Sequence, residues 1–129
     1  MSAELLLRVK NHIADQGGLL AGYAKKYYRW SDADLKGSGG VALFRMTGTA
    51  GDVDHQAQQL DVSLFLLANP KLVTQADSDM LGVLRYLRAN YKSSGAFQYR
   101  PLQSYTGPVY LENGRTMFEM VIRCGVEDH

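Results

Sequence analysis

The run Leu60-Asp61-Val62-Ser63-Leu64-Phe65-Leu66-Leu67 decides the fold class. Leu60, Val62, Leu64 and Leu66 alternate with Asp61 and Ser63, the two-residue period of a β-strand with one face turned to a core. Phe65 and Leu67 make its end apolar on both faces. Followed back to about His55, the strand is polar on both faces, which predicts that this end projects beyond the core. Upstream, Val41 to Thr47 is rich in branched and aromatic residues and reads as a second strand. The polar turn Gly48 to Asp54 joins the two as a hairpin.

Helical patterns flank this hairpin. Ser2 is a helix cap, with Glu4 in the first turn where the dipole favours an anion. Leu5, Leu6, Val9 and Ile13 form an apolar stripe, His12 lies opposite it, and Gly17 and Gly18 end the helix. Asn69-Pro70 stops the hairpin's second strand, because proline cannot donate to a ladder. A second helix opens at Val73 or Thr74 and runs to about Lys92, with Met80, Leu81, Leu84, Leu87 and Tyr91 as its stripe.

The remainder reads as β. Ala96 to Tyr105 is a strand bent at Pro101, and Val109 to Glu112 and Arg115 to Val126 flank the hairpin signal Asn113-Gly114. The last strand places Phe118, Met120, Ile122 and Cys124 on one face and Met117, Glu119, Val121 and Arg123 on the other. The expected fold is α+β, one domain over residues 1–129. Its order is α-β-β-α-β-β(-β): a mostly antiparallel sheet, two helices on one face and one projecting β-hairpin. Residues 19–40 are compatible with helix, strand or an ordered loop, with Ser31 to Gly40 as a connection.

A chain of 129 residues is the usual size of one domain and long enough to bury a core. Fourteen basic against thirteen acidic residues argue against a dedicated nucleic-acid binder, and they leave little net repulsion to oppose self-association. Cys124 is the single cysteine, so no intrachain disulfide forms. Arg8 and Lys10 cut the Leu5–Leu7 run short of a signal-peptide core, and no stretch is long enough to span a bilayer. A cytoplasmic setting is expected.

Catalytic and metal signatures are missing. His12, His55 and His129 have no histidine or cysteine at ligand spacing. His55 beside Asp52 and Asp54 reads as a solvated turn, which cannot preorganise a site. Cys124 reads as a small buried hydrophobe. Gly37-Ser38-Gly39-Gly40 precedes a strand, the reverse of a phosphate-binding loop. Asp61 and Glu119 read as acids paired across strands. Neither an enzymatic activity nor a cofactor is expected. The interleaved Tyr23, Lys25, Lys26, Tyr27, Tyr28, Arg29 and Trp30 suit core packing, a protein interface or base stacking. Two alternatives therefore remain, a small nucleic-acid-binding domain and a ligand or enzyme domain with His55, Asp61 and Arg123 around a cleft.

Gly107-Pro108-Val109-Tyr110-Leu111-Glu112-Asn113-Gly114-Arg115-Thr116-Met117-Phe118-Glu119-Met120-Val121-Ile122-Arg123-Cys124 resembles the closing hairpin of tail terminator proteins of long-tailed bacteriophages. Val41 to Arg45 and Leu60 to Leu66 resemble their central hairpin, and the two helices fall where that family has them. The resemblance implies a non-enzymatic virion protein, from an active phage or a prophage, assembled in the host cytoplasm. Such proteins form a ring, typically hexameric, that caps the tail tube, ends its polymerisation and receives the head. The implied partners are further copies of itself, the tail-tube protein and a head-completion protein, with no membrane and no specific nucleic acid. Tyr28, Arg29, Trp30, Asp52, Asp54, Asp61, Arg115, Glu119 and Arg123 are the candidate interface residues, the arginines as strand-surface anchors.

Overall fold

The computed structural model describes residues 2–29, 39–50, 58–69, 71–93, 97–102, 104–111 and 115–126. Helix α1 (Ser2–Lys10) continues through Asn11–Gln16 in the wider π geometry. Strands β1 (Tyr23–Tyr27), β2 (Gly40–Ala50) and β3 (Gln58–Ala68) precede helix α2 (Val73–Ala89). Strands β4 (Lys92–Ser93), β5 (Phe97–Pro101), β6 (Thr106–Tyr110) and β7 (Thr116–Val126) follow it. The fold is α+β.

All these strands join one sheet in the order β1-β2-β3-β7-β5-β4, with β6 also paired to β7. Strand β7 serves two neighbours on one edge: β6 along its first half and β5 along its second. Every pairing is antiparallel except that of β1 with β2. The alternation read in the sequence is realised. Val62, Leu64, Leu66, Phe118, Met120, Ile122 and Cys124 are buried in one core with Ala42 and Phe44 of β2. Leu6, Val9 and Ile13 of the first helical segment and Ala76, Met80, Val83, Leu84 and Leu87 of α2 cover that face.

The undecided segment 19–40 contributes an edge strand. Gly18 and Leu20 both take left-handed φ, +66° and +61°, and turn the chain after the first helical segment. The Tyr23 amide donates to the Leu20 carbonyl at 3.2 Å, and β1 then runs parallel to β2 from Tyr23 opposite Gly40 to Tyr27 opposite Phe44. Tyr28, with φ +74°, ends the pairing.

Two expectations change. His12 does not lie opposite the apolar stripe: it is buried at 3% exposure. His12 stands three residues after Val9, a spacing that sets it beside the stripe and not opposite it, and its ring turns onto Tyr99. Helix α2 ends at Ala89, so Tyr91 lies beyond the stripe and is half exposed. Strand β3 is paired to β2 and to β7 along its described residues, and the part of the hairpin expected to project is its tip. Residues 51–57 of the turn lie outside the described residues.

Candidate functional site

The sheet face away from the helices carries three of the residues singled out from the sequence, Asp61, Glu119 and Arg123. Strands β3 and β7 set Asp61 opposite Arg123 and Phe65 opposite Glu119. The Arg123 guanidinium donates to both Asp61 carboxylate oxygens, at 3.0 and 3.4 Å. The carboxylate holds the proton on Arg123, raising its pKa above the ordinary value. The Ser63 hydroxyl donates to Glu119 at 3.2 Å, and Arg45 lies over the Phe65 ring at 5.5 Å from its centroid. Half-buried Met117 and Val121 lie among these groups. The face is thus a ladder of paired polar groups with apolar neighbours, with its charge largely balanced internally.

The other candidates scatter. Tyr28 is 48% exposed and Arg29 is exposed, at the end of β1. The Tyr28 amide donates to the Phe44 carbonyl at 3.0 Å and the Arg29 amide to Tyr27 at 2.9 Å. Trp30, Asp52, Asp54 and His55 lie outside the described residues, as does the Asn113-Gly114 turn. Arg115 differs from the expectation of a strand-surface anchor. It precedes β7, is 2% exposed, and donates to the carbonyls of Ala68, at 3.1 Å, and Gly39. Those carbonyls end β3 and precede β2, so its charged fork ties the end of β3 to the starts of β2 and β7.

Other titratable groups serve packing. The Nε2–H of His12 donates to the Asn90 carbonyl at 2.6 Å, and its ring stacks on Tyr99 at 4.0 Å between centroids. Burial pushes the Cys124 thiol well above its ordinary pKa, with the Asp61 charge adding to the effect. A thiol held protonated is a poor nucleophile. Among the described residues no three His, Cys, Asp or Glu side chains converge as a metal site.

Two features were not singled out from the sequence. A cleft of about 500 Å³ opens between the loop Gly18–Gly22 and the start of α2, lined by Tyr23, Gly40, Asn69, Leu72 and Asp79 among others. Both Asp79 carboxylate oxygens accept hydrogen bonds at 2.8 Å, one from the Tyr23 hydroxyl and one from Gln75. Burial, then the bond to Asp79, raises the Tyr23 pKa above its ordinary 10.0. The second feature is β6, whose residues are all exposed, with Val109 at 47% and Tyr110 at 75%. A five-residue strand ending in an exposed tyrosine was legible as an edge, but the cleft arises from elements distant in sequence.

This architecture defines a small α+β protein built around a largely antiparallel sheet, with β6 an exposed strand at one edge. The chain belongs to the phage tail termination protein family, whose family model matches residues 3–128, and it is a structural component of a phage tail. No curated protein matches the chain. Among the described residues no helix is long and apolar enough to cross a membrane.

Proposed function

We propose that the protein caps the phage tail tube as a ring, ends its polymerisation and provides the surface to which the head attaches. Membership in the tail termination family over residues 3–128 carries this reading. The chain acts as one domain, without catalysis or cofactor, and assembles in the host cytoplasm. Its partners are further copies of itself in a hexameric ring, the tail-tube protein and a head-completion protein. The exposed edge strand β6 and a near-neutral net charge of +1 support association over solitary function. The segment once open to nucleic acid supports it too, since Tyr23 and Tyr27 pack against the core and Lys25 donates back to the Leu20 carbonyl.

The test is to polymerise the tail-tube protein with and without this chain and to measure tube lengths and end structures by negative-stain microscopy. Short tubes ending in a ring are expected. Tubes that elongate unchanged beside a protein monomeric at every concentration overturn the proposal.

A further inference from the structure

We infer that Tyr110 of one copy seats in the cleft beside Tyr23 of the next, so that the sheets of neighbouring copies meet edge to edge. The inference rests on the ring reading and names the surfaces that would form the ring.

Position is the first support. Tyr110 pairs with Thr116, and Thr116 with Ala68. One residue along, Leu67 pairs with Val41, whose neighbour Gly40 faces Tyr23. Tyr110 and the cleft therefore sit at the same end of the sheet but on opposite edges, β6 and β1. Four strand spacings separate them, roughly 19 Å. A knob and a socket at one height on opposite edges make a heterologous contact, which repeats from copy to copy and closes into a ring when the rotation permits.

Strand direction agrees. Strand β6 runs against β7, β7 against β3, and β3 against β2, while β1 runs with β2. Hence β6 of one copy meets β1 of the next antiparallel, and the sheet continues across the boundary.

Chemistry agrees as well. Tyr110 is an apolar ring with a polar tip, 75% exposed. The cleft has apolar walls at Leu19, Leu20 and Leu72 and polar groups at Asn69, Gln75 and Asp79. Gly22 and Gly39 line it where an added Cβ would meet no described atom within 4 Å. Among the described residues these two positions leave room that a larger side chain would take from an incoming ring. Charge is complementary: the β1 edge carries Lys25 and, just beyond, Arg29, whereas Asp77, bonded to Tyr105, lies beside the segment that leads into β6.

The experiment uses two variants of the full chain, Tyr110→Asp without the knob and Gly22→Trp with the socket filled. Sedimentation is measured for wild type, each variant and their mixture. Wild type is expected to associate, and each variant alone to associate about 30-fold more weakly, the loss expected of an aromatic anchor. The mixture retains one intact contact and should give a one-to-one dimer that grows no further. Wild-type-like association of either folded variant, or a mixture that stays monomeric, overturns the inference while leaving the ring reading standing. A monomeric wild type, with tube protein or without, overturns the ring reading and this inference with it. If Gly22→Trp fails to melt cooperatively, Gly39→Leu fills the same cleft and is read in the same way.

Discussion

Asp61 on β3 and Arg123 on β7 lie directly opposite each other, and the guanidinium grips both carboxylate oxygens across the ladder. With side chains 16% and 29% exposed, the two ends of this pair remain within reach of solvent and of a partner. Reversing Arg123 to Glu sets like charges opposite each other and is expected to lower the melting temperature. The exchange Asp61→Arg with Arg123→Glu should recover most of the loss. Thermal melts of both singles and the double at low and high salt check this, and the deficit of the reversal should shrink as salt screens the repulsion.

Arg115 behaves differently because it is buried. Replacing it with Ala removes donors from the Ala68 and Gly39 carbonyls where β3 ends and β2 starts, and should cost about 2–4 kcal/mol. Lysine should not restore the stability, since a point charge cannot reproduce the planar fork. Urea unfolding of Arg115→Ala and Arg115→Lys measures both. Assembly should be lost only in proportion to folding, in contrast to the Tyr110 variant.

Alkaline pH is expected to weaken the fold through Cys124. Its pKa is raised on folding, so below about pH 9 the thiol is neutral in both states and its full contribution is present. As pH climbs past the ordinary 9.0, the unfolded thiol ionises while the buried one does not, and stability falls. Tyr23 adds a decline of the same sign above its ordinary 10.0. Denaturation curves from pH 7 to 11 on wild type and Cys124→Ala should show a shallower decline in the variant. The native thiol should also resist a disulfide reagent at pH 8 until urea unfolds the chain.

Leu64 and Leu84 face each other's layer, one on β3 and one on α2, both within the core. Truncating either to Ala should cost about 2–5 kcal/mol, measured as a shift in the urea midpoint. Unchanged midpoints would show that the helices do not cover this face.

Much of the architecture could be read from local pattern, for a physical reason. On β3 and β7 the apolar residues recur every second position because one face is buried, and that period survives whatever the strands pair with. Leu6, Val9 and Ile13 could likewise be read from the helical period. The reading failed at His12, whose three-residue spacing from Val9 sets it beside the stripe and whose ring packs onto Tyr99, and at Tyr23–Tyr27. There a strand five residues long, partly buried along most of its length, shows no clean alternation. Arg115 was misread because a residue's type states its usual preference, whereas its burial depends on carbonyls far away in the chain. The polar candidates fared by locality: Asp61, Glu119 and Arg123 sit on regular strands and found cross-strand partners, but the cleft joins Gly18–Tyr23 to Asn69–Asp79 and leaves no local trace.

The two-sided pairing of β3 also orders events during synthesis. Its neighbour β2 precedes it by seven residues, but β7 is the last described strand, with Ala68 meeting Thr116 and Gln58 meeting Val126. Until the final strand leaves the ribosome, the β2–β3 pair exposes one complete row of backbone donors and acceptors. The sheet that presents Tyr110 cannot exist before that strand arrives, since β6 has no other described strand to lean on. If the proposed ring forms through that edge, a chain in which β7 has not yet been made would be unable to join it, and a product truncated before β7 would be excluded from the assembly instead of poisoning it.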